Sequence, residues 1–271
     1  MVNVKQLATT LESWFTAMDK VIVALSGGID SSLVAYVARK VLGKENVVAV
    51  ISASASVKEK ELKDARYFCT AFDIRLEEID AHEIEDSHYR QNPVNRCFFC
   101  KSALYTELDK LISGLYTDHT VLNGNNFSDF GDFRPGLRAA EEHRVLSPLA
   151  MCHFSKADIR NVAKFYGLPN WNKPASPCLS SRFPYGETIT EKKLKMVEKA
   201  EDLLNDHGFG DVRVRYIQNT ARIEVPTDRI AELRIIFHHI ETEIKSFGFD
   251  NCEIDPEGLI SGKLNRALKI S

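Results

Sequence analysis

The chain has no apolar run near the ~18 residues of a membrane span. Its opening stretch, MVNVKQLATTLESWF, is amphipathic and lacks the apolar core of a signal peptide. These absences lead to the expectation of a cytoplasmic protein with no membrane partner. An excess of base is also missing: 35 Lys and Arg face 38 Asp and Glu, a net charge of −3. That argues against a general nucleic-acid binder and leaves room only for a local basic site. The lysine-bearing phosphate loop GxxxxGK[ST] is absent, as are repeats and low-complexity tracts. The eight histidines show no metal-ligand spacing, and His238-His239 reads as helix surface. Six cysteines in a cytosolic chain do not make a disulfide framework, so metal or redox chemistry is where to look. What remains, 44% hydrophobic and 27% charged residues over 271 positions, is enough for a large core and two domains.

The rest of the chain is organised around Val21 to Ser32, VIVALSGGIDSS. Five apolar residues read as a buried strand. They break at Ser26-Gly27-Gly28, and Leu33, Val34, Val37, Ala38 and Val41 then recur at helical spacing. Two glycines allow a sharp turn with no Cβ to block an anion. The turn and the first helical N–H groups then converge where the helix dipole favours negative charge. Ser26, Ser31 and Ser32 add hydroxyls. Asp30 would repel phosphates unless a divalent cation, Mg²⁺ by preference, sits between. The segment resembles SGGxDS, the pyrophosphate-binding loop of ATP pyrophosphatases, which transfer AMP to an oxygen and release pyrophosphate. The expected ATP-binding set is Ala24, Ser26, Gly27, Gly28, Asp30, Ser31, Ser52, Gly124 and Arg134, the last either approaching the nucleotide or only bracing its loop.

Strands are expected at Val21–Leu25, Val47–Ile51, Ile74–Ile79, Thr120–Leu122 and Val145–Leu149. Helices over 1–18, after the glycines, over 58–72, 102–113 and 155–166 make the pattern βαβαβ and the sheet parallel. Ligands on such a sheet bind beyond the carboxyl ends of the strands, where the Ser26 loop and the small-residue turn Ser52–Ser56 lie; the latter would face adenosine. Gln91–Lys101, QNPVNRCFFCK, reads as irregular. So does Asn123–Gly136, NGNNFSDFGDFRPG, a length more often functional than not. The proline-rich NWNKPASPCLSSRFPYG (Asn170–Gly186) marks a boundary, giving domains 1–178 and 179–271. The second is a smaller α/β unit with helices at 190–207 and from Asp228, and strands near 212–217, 221–225 and 252–254. The tail from Leu259 to Ser271 packs back on the body or reaches a neighbour.

Cys97 and Cys100 form C-x-x-C, a signal shared by redox pairs, zinc knuckles and clusters. With Cys178 they make three thiols, which suit a [4Fe–4S] cluster with one open iron. Zinc would need a fourth ligand such as Cys152 or His153, and buried or redox thiols are the third possibility. Cys69 and Cys252 sit in helical and strand patterns and read as core.

SGGIDSS, NPVNRCFFCK, GDFRPGLRAA, NWNKPASPCLSSRFPYGETIT and VRVR with ARIE together resemble the LarE family, the ATP-dependent sulfur transferases of nickel-pincer cofactor synthesis. The likeness runs from about Lys20 to Asn265. It implies a PP-loop, adenine-nucleotide hydrolase-like fold. It also implies an enzyme that adenylates a carboxylate of pyridinium-3,5-biscarboxylic acid mononucleotide and converts it to a thiocarboxylate. Sulfur comes by one of two routes in such proteins. A single cysteine before SSRFPYG is sacrificed, or three cysteines hold a [4Fe–4S] cluster that carries sulfide. Cys97, Cys100 and Cys178 match the second pattern, and Pro177 stands where the sacrificial cysteine would be. The resemblance further makes Ser181 and Arg182 substrate contacts and Glu201 a base or metal ligand. Arg213 and Arg215 alternate on one strand face, spaced to grip one phosphate or carboxylate. Lys101 is placed to neutralise phosphate or the acyl-adenylate oxygen. The expected cofactors are ATP, Mg²⁺ and the cluster; the partners are a small nucleotide, a sulfide source and further copies of the chain. A tRNA thiolase is the rival reading, weakened by the acidic charge.

Overall fold

The computed structural model describes residues 3–131, 135–260, 262, 263 and 266. Two compact units emerge: Met1–Glu83 with Asn95–Ser176, and Ile84–Val94 with Pro177–Ser271.

The first unit is built on a four-stranded parallel sheet of β1 (Val21–Leu25), β2 (Val47–Ser52), β3 (Arg75–Ile79) and β4 (Thr120–Leu122), in the order β3-β2-β1-β4. The longer helices of this unit are α1 (Val4–Phe15), α2 (Ile29–Leu42), α3 (Glu59–Ala71), α4 (Arg96–Gly114), α5 (Pro135–Glu142) and α6 (Lys156–Phe165). Alternate residues of the central strands serve two cores. Val21, Val23, Leu25, Val47, Ala49 and Ile51 join Leu11 and Phe15 of α1, Leu33 and Val37 of α2, and Ile159 and Val162 of α6. Ile22, Ala24, Val48 and Val50 join Leu104, Tyr105 and Leu108 of α4 and Ala139 and Ala140 of α5. Both faces are covered, which is why β1 is apolar throughout and β2 is apolar up to its last residue, Ser52. Helix α6 starts where its sequence says it should: the Ser155 hydroxyl accepts from the Asp158 N–H, and Asp158 accepts from the Ser155 N–H.

Two elements differ from expectation. Val145–Leu149 is not a strand: Leu146 makes a single bridge to Leu122, and Pro148–Met151 turns into a short helix. Proline at 148 cannot extend a ladder and instead starts a helical turn. Cys97 and Cys100 are not in irregular chain. Helix α4 begins at Arg96, six residues before the expected start, so both lie near its N-terminal end.

The second unit holds β5 (Arg213–Ile217), β6 (Thr220–Glu224) and β7 (Asn251–Ile254) in that order; β5 and β6 are antiparallel, β6 and β7 parallel. Helices α7 (Glu191–Asp206) and α8 (Ile230–Ser246) complete it. Its earlier segment, Ile84–Val94, is tied in by backbone bonds from Gly186 to Asn92 and from Ile189 to Arg90. The Asn92 amide also donates to the Pro184 carbonyl at 2.6 Å. No described helix is long and apolar enough to cross a membrane.

Candidate active site

At the carboxyl end of β1 the chain turns through Ser26-Gly27-Gly28 into α2. Gly27 takes φ +73°, and a Cβ there would lie 2.7 Å from Glu61 Oε2 and 3.1 Å from the Glu61 carbonyl, so the position is closed to other residues. The loop is held from within. The Ser26 N–H donates to Ser31 Oγ at 3.1 Å, and the Ser31 and Ser32 hydroxyls reach the Gly28 carbonyl. Gly124, just past β4, lets a second backbone close on it: a Cβ at 124 would meet the Ser31 nitrogen at 2.5 Å and its Cα at 2.8 Å.

These elements line a cleft of about 680 Å³, large enough for a nucleotide. It gathers Ala24, Ser26, Gly28, Asp30, Ser31, Lys101 and Gly124 from the expected set. Asp30 sits in the first turn of α2, where it accepts from the Asn126 amide at 2.8 Å. Asn126 is fixed in turn: its carbonyl oxygen accepts from the Ser128 N–H, and its own N–H donates to Asp129. The Asp30 carboxylate is the hard oxygen ligand here that suits Mg²⁺. Ser52 ends β2 and is not among the lining residues; its buried hydroxyl has no partner among the described residues. The Ser54 and Ser56 hydroxyls both donate to Glu83 Oε1 at 2.6 Å. Arg134 lies outside the described residues.

Sequence reasoning missed Glu61, Asn126, Lys156, Arg160 and Lys173. All but Asn126 line the cleft themselves. Asn126 falls in a loop already marked by its composition. Lys173, a lone lysine before a proline, is identified only by partners more than a hundred residues away. Its ammonium donates to Glu61 and Asp64, each at 2.7 Å, and to the Gly27 carbonyl at 3.1 Å. Burial alone would push this lysine down; hydrogen bonds to Asp64 and Glu61 outweigh it and hold it above the usual lysine range.

Cys97 is exposed and Cys100 half-buried, three positions apart and so on one helical face. Both belong to the first unit and Cys178, also exposed, to the second. Among the described residues no three His, Cys, Asp or Glu side chains gather as a metal group. Cys69 and Cys252 are buried, and burial pushes both thiols up to about 12, as fits core residues.

In the second unit Arg182 is turned inward, 2% exposed. Its Nε donates to Glu201 Oε1 at 2.8 Å and a terminal nitrogen to Oε2 at 3.1 Å, while the other holds the Pro177 carbonyl at 2.7 Å and the Cys178 carbonyl at 3.2 Å. Glu201, 1% exposed, also accepts the Val214 N–H at 3.0 Å. Arg182 thus fixes the turn bearing Cys178, and the Ser181 hydroxyl adds a bond to the Cys178 carbonyl at 2.8 Å. Arg215 is paired with Glu224 at 2.9 Å and with the Ser181 carbonyl at 2.7 Å. Arg213 differs. It has no hydrogen-bond or ion-pair partner among the described residues, and burial followed by the nearby Arg182 and Arg215 guanidiniums pushes it below the usual arginine range. A half-buried cation so placed is stabilised by an anion.

Comparison with known proteins agrees with this geometry. The NAD synthase family model matches residues 4–98, which carry the phosphate loop and three of the sheet's four strands. A protein of Synechocystis sp. described as uncharacterized is 44% identical over 95% of this chain and 96% of its own. The pyridinium-3,5-bisthiocarboxylic acid mononucleotide synthase of Lactiplantibacillus plantarum is 35% identical over 96% of this chain and 94% of its own. A glutamine-hydrolysing GMP synthase of Clostridium botulinum matches at 26% over 69% of this chain and 40% of its own. An α/β unit with a glycine-serine phosphate loop, similar in sequence from end to end to the Lactiplantibacillus synthase, places this chain in the PP-loop superfamily, and within it the chain belongs to the LarE (pyridinium-3,5-bisthiocarboxylic acid mononucleotide synthase) family.

Proposed function

We propose that this protein adenylates a carboxylate of pyridinium-3,5-biscarboxylic acid mononucleotide and exchanges the adenylate for sulfur, yielding the thiocarboxylate used in nickel-pincer cofactor synthesis. The observation that carries the reading is the end-to-end similarity to the Lactiplantibacillus synthase, with the preorganised phosphate loop at its centre. A carboxylate is a poor electrophile. Its oxygen attacks the α-phosphorus of ATP, pyrophosphate leaves, and the acyl-adenylate carries a good leaving group. The α2 N-terminus and the loop N–H groups stabilise the charge developing on pyrophosphate, and Asp30 would hold the Mg²⁺ that shares it. Lys101, within the same cleft, supplies positive charge for the acyl-adenylate. Arg213, with Arg215 beside it, fits recognition of the substrate's phosphate or carboxylate. The boundary near residue 178 then separates a nucleotide-activating part from a substrate-binding part, which also serves assembly of copies.

Cys97, Cys100 and Cys178 suit a [4Fe–4S] cluster by donor chemistry: an exposed and a half-buried thiol one helical turn apart, and a third on a pinned, exposed turn. Bound there, the cluster supplies the sulfur that displaces AMP. A second reading has Cys178 giving up its own sulfur. It is favoured by the exposure of that thiol. The test of the function is direct. Purified protein with Mg–ATP should release pyrophosphate and AMP only when the pyridinium biscarboxylate nucleotide is present. Release with tRNA instead, or with neither, would refute it.

A further inference from the structure

The cleft contains an acid in an awkward place. Glu61, on α3, is 7% exposed and lines the same cavity as the phosphate loop. Its Oε2 lies 2.7 Å from where a Cβ of Gly27 would be. Left alone, a carboxylate at that spot repels any phosphate the loop receives. Lys173 answers it. An ammonium has three N–H donors, and here there are three acceptors: Glu61 and Asp64 at 2.7 Å each and the Gly27 carbonyl at 3.1 Å. None is left over for a ligand. The same turn makes a second tie, from the Asn170 amide to Ser32 Oγ at 3.0 Å, so the NWNK stretch braces the loop at both of its ends.

We propose that Lys173 is a positioning residue of the phosphate loop, acting through Glu61 and Gly27 rather than on the nucleotide. It cancels the Glu61 charge and holds the Gly27 carbonyl back, so that the loop presents only N–H and hydroxyl donors to phosphate. This rests on the reading that the loop binds the phosphates of ATP.

A charge cycle separates this role from direct phosphate contact. Affinities for Mg–ATP and for adenosine are measured by calorimetry on the full chain and on Lys173→Met, Glu61→Gln and the double variant. Lys173→Met should weaken Mg–ATP about tenfold, the effect of one poorly screened charge several ångströms away, and leave adenosine unchanged. The double variant should return to within about threefold of the parent, because the acid that needed cancelling is gone. If the double variant stays as weak as Lys173→Met, Lys173 touches phosphate itself and the inference is wrong. An equal loss for adenosine would show a merely structural role and overturn it too. Should Lys173→Met fail to fold, the double variant decides alone. A parent protein that does not bind Mg–ATP sinks the ATP reading, and this inference with it. Binding by the parent without recovery in the double variant removes this inference only.

Discussion

On the proposed function, Asp30 is the residue on which adenylation would turn. It is an acid in the first helical turn, where Asn126 fixes one of its oxygens. Asp30→Ala should abolish pyrophosphate release while lowering the unfolding free energy by no more than about 1–3 kcal/mol, the cost of leaving the buried Asn126 amide without its partner; turnover at the parental rate would rule out its metal role. Arg182 makes a different prediction. Removing it as Arg182→Met strands a buried Glu201 carboxylate, which should cost about 3–5 kcal/mol in chemical denaturation. Glu201→Gln with Arg182→Met should recover much of that. Both residues were marked from the sequence, Arg182 as a substrate contact and Glu201 as a base or metal ligand. Their mutual pairing was not legible, because a nineteen-residue separation across a turn leaves no local pattern. Arg213, by contrast, was legible in position, since strand alternation alone places it on the same strand face as Arg215.

At the level of elements, the strands of the sheet were legible because both of its faces are buried, and continuous apolar runs between turn residues permit few other structures. Val145–Leu149 misled for the same reason: an apolar run without periodicity reads alike as a strand or as a buried turn, and Pro148 decided it. The start of α4 was hidden by Pro93 and by cysteines that carry no helical signature. Gly124 is the close approach on which the site's second wall depends. Gly124→Ala should destabilise the first unit by about 1–3 kcal/mol and weaken Mg–ATP, because its Cβ meets backbone rather than a yielding side chain. Helix α1 is anchored partly by Glu12, which accepts from Lys40 and, at 2.6 Å, from Tyr166. The Lys40 and then the Tyr166 hydrogen bond hold Glu12 below its ordinary 4.5. Its contribution is therefore complete above that value and lost as pH falls through the lowered one. Protection factors of the amides in 4–15, corrected for the intrinsic pH dependence of exchange, should fall with acid in the parent and stay nearly constant over this range in Glu12→Gln.

For the whole molecule, the acidic net charge, the phosphate loop and the cysteine spacing were all readable before any fold was known. The loop pointed to ATP as the cosubstrate, which the PP-loop family match supports. Sulfur chemistry lies beyond what either pattern or packing conveys, because it depends on what three thiols hold and not on where the chain runs. Cys97 and Cys100 follow from one helical turn; Cys178 belongs to the other compact unit, and its partnership with them is a proposal about chemistry. The decisive measurement is iron and acid-labile sulfide in anaerobically purified protein, followed by the mass of the chain after a single turnover. The cluster route expects about four irons per chain, their loss in Cys178→Ala, and an unchanged protein mass once the thiocarboxylate has formed. Iron-free protein that still makes the product, with one sulfur missing from Cys178, would contradict it.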